Sequence, residues 1–273
     1  MCYTEIGLRE IVTRDFMLDS HIHLDADQYA DVAGLIKRAR DAGVKAAIAP
    51  GVTPASNRRV LELAAQYPGF VHAAIGFHPE RFELTDADLE ATLAMVKLNR
   101  DRICAIGEVG LPWYGETARR PEVIARARMI LERFAMLASE LDLTMILHCP
   151  HQTARDALMI IKHAKVRRAV FHWHKSDEAT THAIIEGGYF ISLTPEVAYR
   201  DRDQALARVV PLDQMIVETD GPWPYGGPFE GKPTEPNFIP DVISAIARIR
   251  GDSVETVAQA IAINAKSLFG ITV

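Results

Sequence analysis

The stretch "FMLDSHIHLDAD" sets His21 and His23 two residues apart at the end of a short apolar run, with acidic residues on both sides. In an extended strand, side chains two residues apart project from one face. Two imidazoles leaving a strand this way can offer ring nitrogens to one point in space. Imidazole is also the commonest metal ligand among side chains. Taken alone, the pair has an ordinary alternative, with one ring bonded in the core and the other in water. Similar residues close other apolar runs: His78 in "FVHAAIGFHP", Glu108 in "RICAIGEVGL", His148 in "TMILHCP", His172 and His174 in "RRAVFHWH", and Glu218 and Asp220 in "QMIVETDGPW". Any one of these could be a satisfied core histidine or a helix-capping carboxylate. Their recurrence at the ends of successive apolar runs points to a metal cluster.

The remaining histidines fall elsewhere. His72 sits inside an apolar run, and His163 and His182 lie in stretches of helical period, where core or surface roles fit better. His151 belongs to the loop after "TMILHCP" and is a candidate substrate contact.

What positions these residues is an alternation of short apolar runs with longer helical stretches. Strands are expected near 16–19, 45–49, 70–75, 102–106, 144–147, 168–171, 189–193 and 215–217, with a helical candidate between each pair. The clearest helix is "RPEVIARARMILERFAMLASELDL", with Val123, Ala127, Ile130, Phe134, Leu137 and Leu141 on one face. Its Pro121 suits a first turn, where no N–H is needed. In "DSVETVAQAIAI", Asp252 and Glu255 have capping-box spacing. Eight strand–helix units in 273 residues predict an α/β fold, a (β/α)8 TIM barrel with its metal site at the C-terminal ends of the strands. The alternative architecture is an open doubly wound sheet. With no internal repeat and no linker-like segment, residues 1–273 read as a single domain, and the N-terminal dozen residues as peripheral.

Composition narrows the classes of partner. Apolar residues make up 48% of the chain, enough to fill a large core. No run is long and apolar enough to suggest a membrane span, and the charged N-terminus lacks the apolar centre of a secretion signal. Three cysteines (Cys2, Cys104 and Cys149) at unrelated spacings form neither a disulfide framework nor a zinc knuckle, and point to a cytoplasmic location. A net charge of −6 argues against non-specific nucleic-acid binding through a basic surface. It leaves phosphate substrates open, because bound cations would set the local field. No protein partner can be read from the sequence.

The ordered set "DSHIHLD", "GFHPE", "AIGEVGL", "LHCP", "VFHWH", "VETDGPW", "TEPNFIPDV" and "NAKSLFG" resembles the TatD-type metal-dependent hydrolases of the amidohydrolase-like barrel class, over nearly the whole length. The resemblance implies that His21, His23 and Asp220 bind one divalent ion, and that Glu108 bridges to a second held by His148 and His172. It also implies deoxyribonuclease activity. Related phosphotriesterase-like barrels use a modified lysine as the bridge, where this chain has Glu108. The sequence departs from the family at Pro112, in place of an acid, and at Cys149 to Gln152, where an arginine is usual. Further departures are Trp173 and His174 in "HWHKS", and Gly221, in place of a serine. None is a metal ligand; all bear on substrate identity.

The expected chemistry is hydrolysis assisted by two divalent cations, with Asp220 handling the water proton and Glu108 and Asp220 as the catalytic carboxylates. Histidine-rich ligation suits zinc and admits manganese or iron, and the resemblance allows magnesium. His78, His174 and His151 are the candidate substrate-binding residues. The substrate is a nucleic-acid end or another phosphodiester; the alternatives are a small ester, amide or lactone. Lys175, Arg200, Arg202 and Lys232 are candidate phosphate contacts, or simply solvated charges. Trp113, Trp223 and Tyr225 could stack a base, or cover the loops. A metal-containing interaction module is the non-enzymatic alternative, although structural zinc sites are normally closed and four-coordinate.

Overall fold

The computed structural model describes residues 17–271. Phe16 and the N-terminal dozen, which the sequence reading placed in the first strand and at the periphery, lie outside the described residues. The strands are β1 (Met17–Asp19), β2 (Val44–Pro50), β3 (Val71–Ile75), β4 (Ala105–Gly110), β5 (Thr144–His148), β6 (Ala169–Phe171), β7 (Phe190–Leu193) and β8 (Met215–Val217). They form one sheet in chain order. Each is followed by a helix: α1 (Val32–Asp41), α2 (Pro54–Gln66), α3 (Asp86–Leu98), α4 (Pro121–Leu141), α5 (Thr153–His163), α6 (Glu178–Glu186), α7 (Asp201–Val209) and α8 (Ile239–Arg250), and α9 (Val254–Phe269) closes the chain. Ser20 N–H donates to the Val217 carbonyl at 3.1 Å and Asp220 N–H to the His21 carbonyl at 2.8 Å, joining the last strand to the first. The fold is the (β/α)8 barrel.

The chain divides into two compact units, one of residues 1–48 and 193–273, the other of residues 49–192. In the first, α8 buries Val242, Ile243 and Ile246, and α9 buries Val257, Ile261 and Leu268. In the second, α4 buries Ala127, Ile130, Phe134 and Leu137, four of the six positions expected on its inner face. Complete burial of a leucine or phenylalanine side chain contributes about 1.5–3 kcal/mol, so these stripes hold each helix to its neighbours.

Helix starts are fixed chemically. Asp31, Thr53 and Asp177 cap α1, α2 and α6 through their side chains, and Thr85 with Asp88 forms a full capping box on α3. The cap of α9 differs from the expectation. Ser253, not Asp252, accepts the Thr256 N–H at 3.1 Å, because the helix begins one residue later and its third position is then Thr256.

Strand β4 also departs from the expected 102–106. Its apolar run ends at Ile106, yet the ladder continues past Glu108, with a register shift before Val109 pairs with Leu147 and Gly110 with His148. A Cβ at Gly110 would lie 2.0 Å from the His148 carbonyl oxygen, so only glycine allows this approach. Pairing along β5, rather than the apolar run, sets the length of β4 and carries Glu108 inside the strand.

Candidate metal centre

In the unit of residues 49–192, β4 delivers Glu108, 1% exposed, into a ring of imidazoles. Its Oε1 lies 2.8 Å from His148 Nδ1, 2.9 Å from His172 Nε2 and 3.2 Å from His78 Nε2. His148 Nδ1 and His172 Nε2 are 3.4 Å apart. A carboxylate this deeply buried is costly unless its charge is met, and three rings from three strand ends meet it here. His78, Glu108 and His148 each offer an atom within reach of a single ion.

Glu80 belongs to this cluster, although the sequence reading did not single it out. Its Oε1 accepts the Trp113 N–H at 2.7 Å and the Tyr114 N–H at 3.0 Å, and lies 3.7 Å from His148 Nε2. Burial alone would push its carboxyl up, but His148 and the two backbone donors hold it below the usual range. For His148, burial opposes the charge, while Glu108 and Glu80 together raise the imidazole above its ordinary value. The only sequence signal for Glu80 was its place in "GFHPE".

In the other unit, β1 and β8 bring His21, His23 and Asp220 together. His21 Nε2 and His23 Nε2 are 3.3 Å apart, and each lies 3.6 or 3.5 Å from Asp220 Oδ1. His21 is fully buried. Asp220 takes a left-handed backbone, φ 48°, which aspartate tolerates better than most residues. Asp19 ties the two strand ends together. It accepts the His21 N–H at 3.2 Å, the Thr219 N–H at 2.9 Å and the Thr219 hydroxyl. Burial, opposed by those bonds, pushes its carboxyl up to about 7. The sequence signal for Asp19 was the acidic flank of the HxH pair.

Both donor sets fit divalent ions. At a metal–nitrogen distance near 2.1 Å, tetrahedral ligands sit about 3.4 Å apart and octahedral ones about 3.0 Å. The separations of 3.3–3.6 Å in one cluster and 2.8–3.4 Å in the other match those edges.

The other candidate contacts fall in both units. His174 is buried, with Nε2 2.9 Å from the Thr181 hydroxyl, inside the connection between β6 and α6. His151 stands with its ring 5.1 Å from that of Trp113. Glu196 takes Arg200 and Arg202 at 2.6 Å each, and both arginine side chains stay partly exposed. Lys232 donates to the Pro228 carbonyl, and Lys175 lies over the Trp173 ring. Tyr225 is buried with its hydroxyl on the Thr219 carbonyl and offers no stacking face, whereas Trp223 is exposed. Glu218 is fully buried. Beside His78, the side chains of Phe77, Phe82, Leu84, Val123 and Ile130 line a cleft.

A (β/α)8 barrel whose strand ends carry clustered imidazoles and carboxylates is the frame of a metal-dependent hydrolase. The family model described as TatD related DNase matches residues 18–270. The chain is 30% identical over 265 residues to the 3'-5' ssDNA/RNA exonuclease TatD of Erwinia amylovora, covering 93% of this chain and 100% of that one. It is 28% identical over 261 residues to the deoxyribonuclease TATDN3 of Homo sapiens, covering 93% and 94%. The crystal structure of YjjV, a TatD homologue from Escherichia coli, superposes with a TM-score of 0.86 at 26% identity, covering 96% of this chain and 100% of that one. The chain belongs to the TatD family of metal-dependent hydrolases.

Proposed function

We propose that the protein is a phosphodiesterase acting on nucleic-acid ends, with residues 1–273 working as one catalytic domain that holds two divalent ions, one at each ligand cluster. The observation that carries this reading is the triad of His21, His23 and Asp220, whose ligand atoms stand 3.3–3.6 Å apart at the ends of β1 and β8. The relatives named as exonuclease and deoxyribonuclease support the substrate class. Zinc suits the imidazole-rich sets, and manganese, iron or magnesium are the other candidates. Divalent ions bound there would polarise a phosphoryl oxygen and lower the pKa of an attacking water.

The chain's own residues do the rest. Glu108 and the two clusters of imidazoles fix the ligand atoms before substrate arrives, so little reorganisation is needed at reaction. Asp220, 12% exposed at its side chain, keeps Oδ1 toward the two imidazoles while Oδ2 accepts the proton of the attacking water. The cleft beside His78 receives the terminal nucleoside, while His78 itself holds Glu108. His151 beside Trp113 contacts the next nucleotide; His174 supports β6 from behind.

The test is a substrate panel with metal-loaded protein: single-stranded DNA and RNA, bis-p-nitrophenyl phosphate, and small esters, amides and lactones. Processive shortening of single strands is the expected result. Turnover of lactones or esters alone would move the assignment to small-molecule hydrolysis, and no turnover by fully loaded protein would favour an interaction module.

A further inference from the structure

We infer that Glu80 is a positioning residue that sets the tautomers of two imidazoles in the Glu108 cluster, through its carboxylate for His148 and its backbone N–H for His78. The inference rests on the reading that Glu108, His148 and His172 hold an ion. A neutral imidazole carries one proton, and a nitrogen that ligates a metal must present its lone pair. His148 turns Nδ1 to Glu108 and His172, at 2.8 and 3.4 Å. Its proton therefore belongs on Nε2. That nitrogen is buried and has no hydrogen-bond partner among the described residues. The acceptor facing it is Glu80 Oε1 at 3.7 Å, and a shift of about 0.8 Å would bring the pair to hydrogen-bond length. A carboxylate on the outer nitrogen of a ligating histidine fixes both the ring and its tautomer.

Glu80 is itself held in place. The N–H groups of Trp113 and Tyr114 both donate to the same Oε1. Its own N–H donates to His78 Nδ1 at 3.1 Å. His78 thus carries its proton on Nε2, 3.2 Å from Glu108 Oε1, and acts as a donor to that carboxylate. Although His78 is close enough to count as a ligand, this bond assigns it the opposite role. The cluster offers an ion two lone pairs, His148 Nδ1 and His172 Nε2, plus the Glu108 carboxylate, with His78 steadying Glu108.

The experiment uses the full chain and zinc alone as probe, comparing wild type with Glu80→Ala and Glu80→Gln. Zinc affinity is read by chelator competition, histidine tautomers by 15N NMR of the zinc-loaded protein, and stability by melting of the apo form. In wild type, His148 should show a metal-bound Nδ1 and a protonated Nε2. Glu80→Ala should weaken one of the two ions by about 10–100-fold, leave the other unchanged and lose the single His148 tautomer. Glu80→Gln, whose amide oxygen still accepts a hydrogen bond from His148 Nε2–H, should recover most of the affinity. Affinities equal to wild type in both variants, or equal weakening of both ions with a lower melting point, would overturn the inference; the second pattern would mean that Glu80 only secures residues 113–114. A wild type that takes up no zinc would instead overturn the hydrolase reading on which it rests.

Discussion

The departure at Gly221 has a physical cause that mutation can test. Tyr29 lies half-buried in the loop after β1, and its hydroxyl donates to the Thr234 carbonyl at 2.5 Å. A Cβ at Gly221 would lie 2.2 Å from that hydroxyl oxygen, where ordinary contact begins near 3.4 Å. Gly221→Ala therefore forces Tyr29 back by about an ångström, which breaks its bond to Thr234. Leaving the carbonyl unsatisfied costs about 1–3 kcal/mol, and crowding adds about 1–3 kcal/mol. Tyr29→Phe removes the oxygen and leaves the same carbonyl unsatisfied, which costs about 1–3 kcal/mol. In that background the nearest neighbours of the new methyl are Thr234 O at 3.0 Å and Ile22 Cδ1 at 3.3 Å, contacts that small shifts relieve. The double variant loses that bond once and is relieved of the crowding, so it should be more stable than the sum of the singles by about 2–6 kcal/mol. Urea unfolding followed by circular dichroism gives the comparison, through midpoints at constant m. Strict additivity would refute the account of Gly221 and show that Tyr29 does not fill the space a serine occupies elsewhere in the family.

Further expectations can be checked in parallel. Asp220→Asn should lower turnover by at least about a hundredfold while the circular dichroism spectrum stays unchanged, because the amide cannot take up the water proton; retained turnover would remove Asp220 from that role. Asn57, fully buried in α2, bonds both the N–H and the carbonyl of Gly76, at 2.9 and 2.8 Å, just before His78. Asn57→Ala strands two buried backbone groups and should cost about 2–4 kcal/mol in urea unfolding. The Cys149 thiol is pushed up by burial and is 4% exposed, so peptide mapping should find it unalkylated at pH 8 in folded protein and fully alkylated after denaturation.

Much of the barrel was legible because buried parallel strands are short apolar runs, and all eight recur near their expected positions. The candidate ligand residues stood out for the same reason, since chemistry in this fold collects where such runs end. Part of what escaped was set by partners distant in sequence. The extension of β4 depends on the approach of His148 to Gly110, which no local pattern encodes. Glu80 acquires its role from Trp113, Tyr114 and His148, more than thirty residues away. Arg200 and Arg202 both reach Glu196, four and six residues earlier, a pairing between the loop after β7 and the start of α7 that the apolar pattern does not encode. Ser253 took the cap from Asp252 by a one-residue difference, within the usual uncertainty of helix ends.

The most direct test of the account is a count of metal ions per chain by mass spectrometry of purified protein, repeated on His21→Ala/His23→Ala and on His148→Ala/His172→Ala. Two ions in wild type and one in each double variant, with the fold retained, is the predicted outcome. A wild type without bound ions, or variants that keep both, would contradict the assignment of these two clusters as the metal centre.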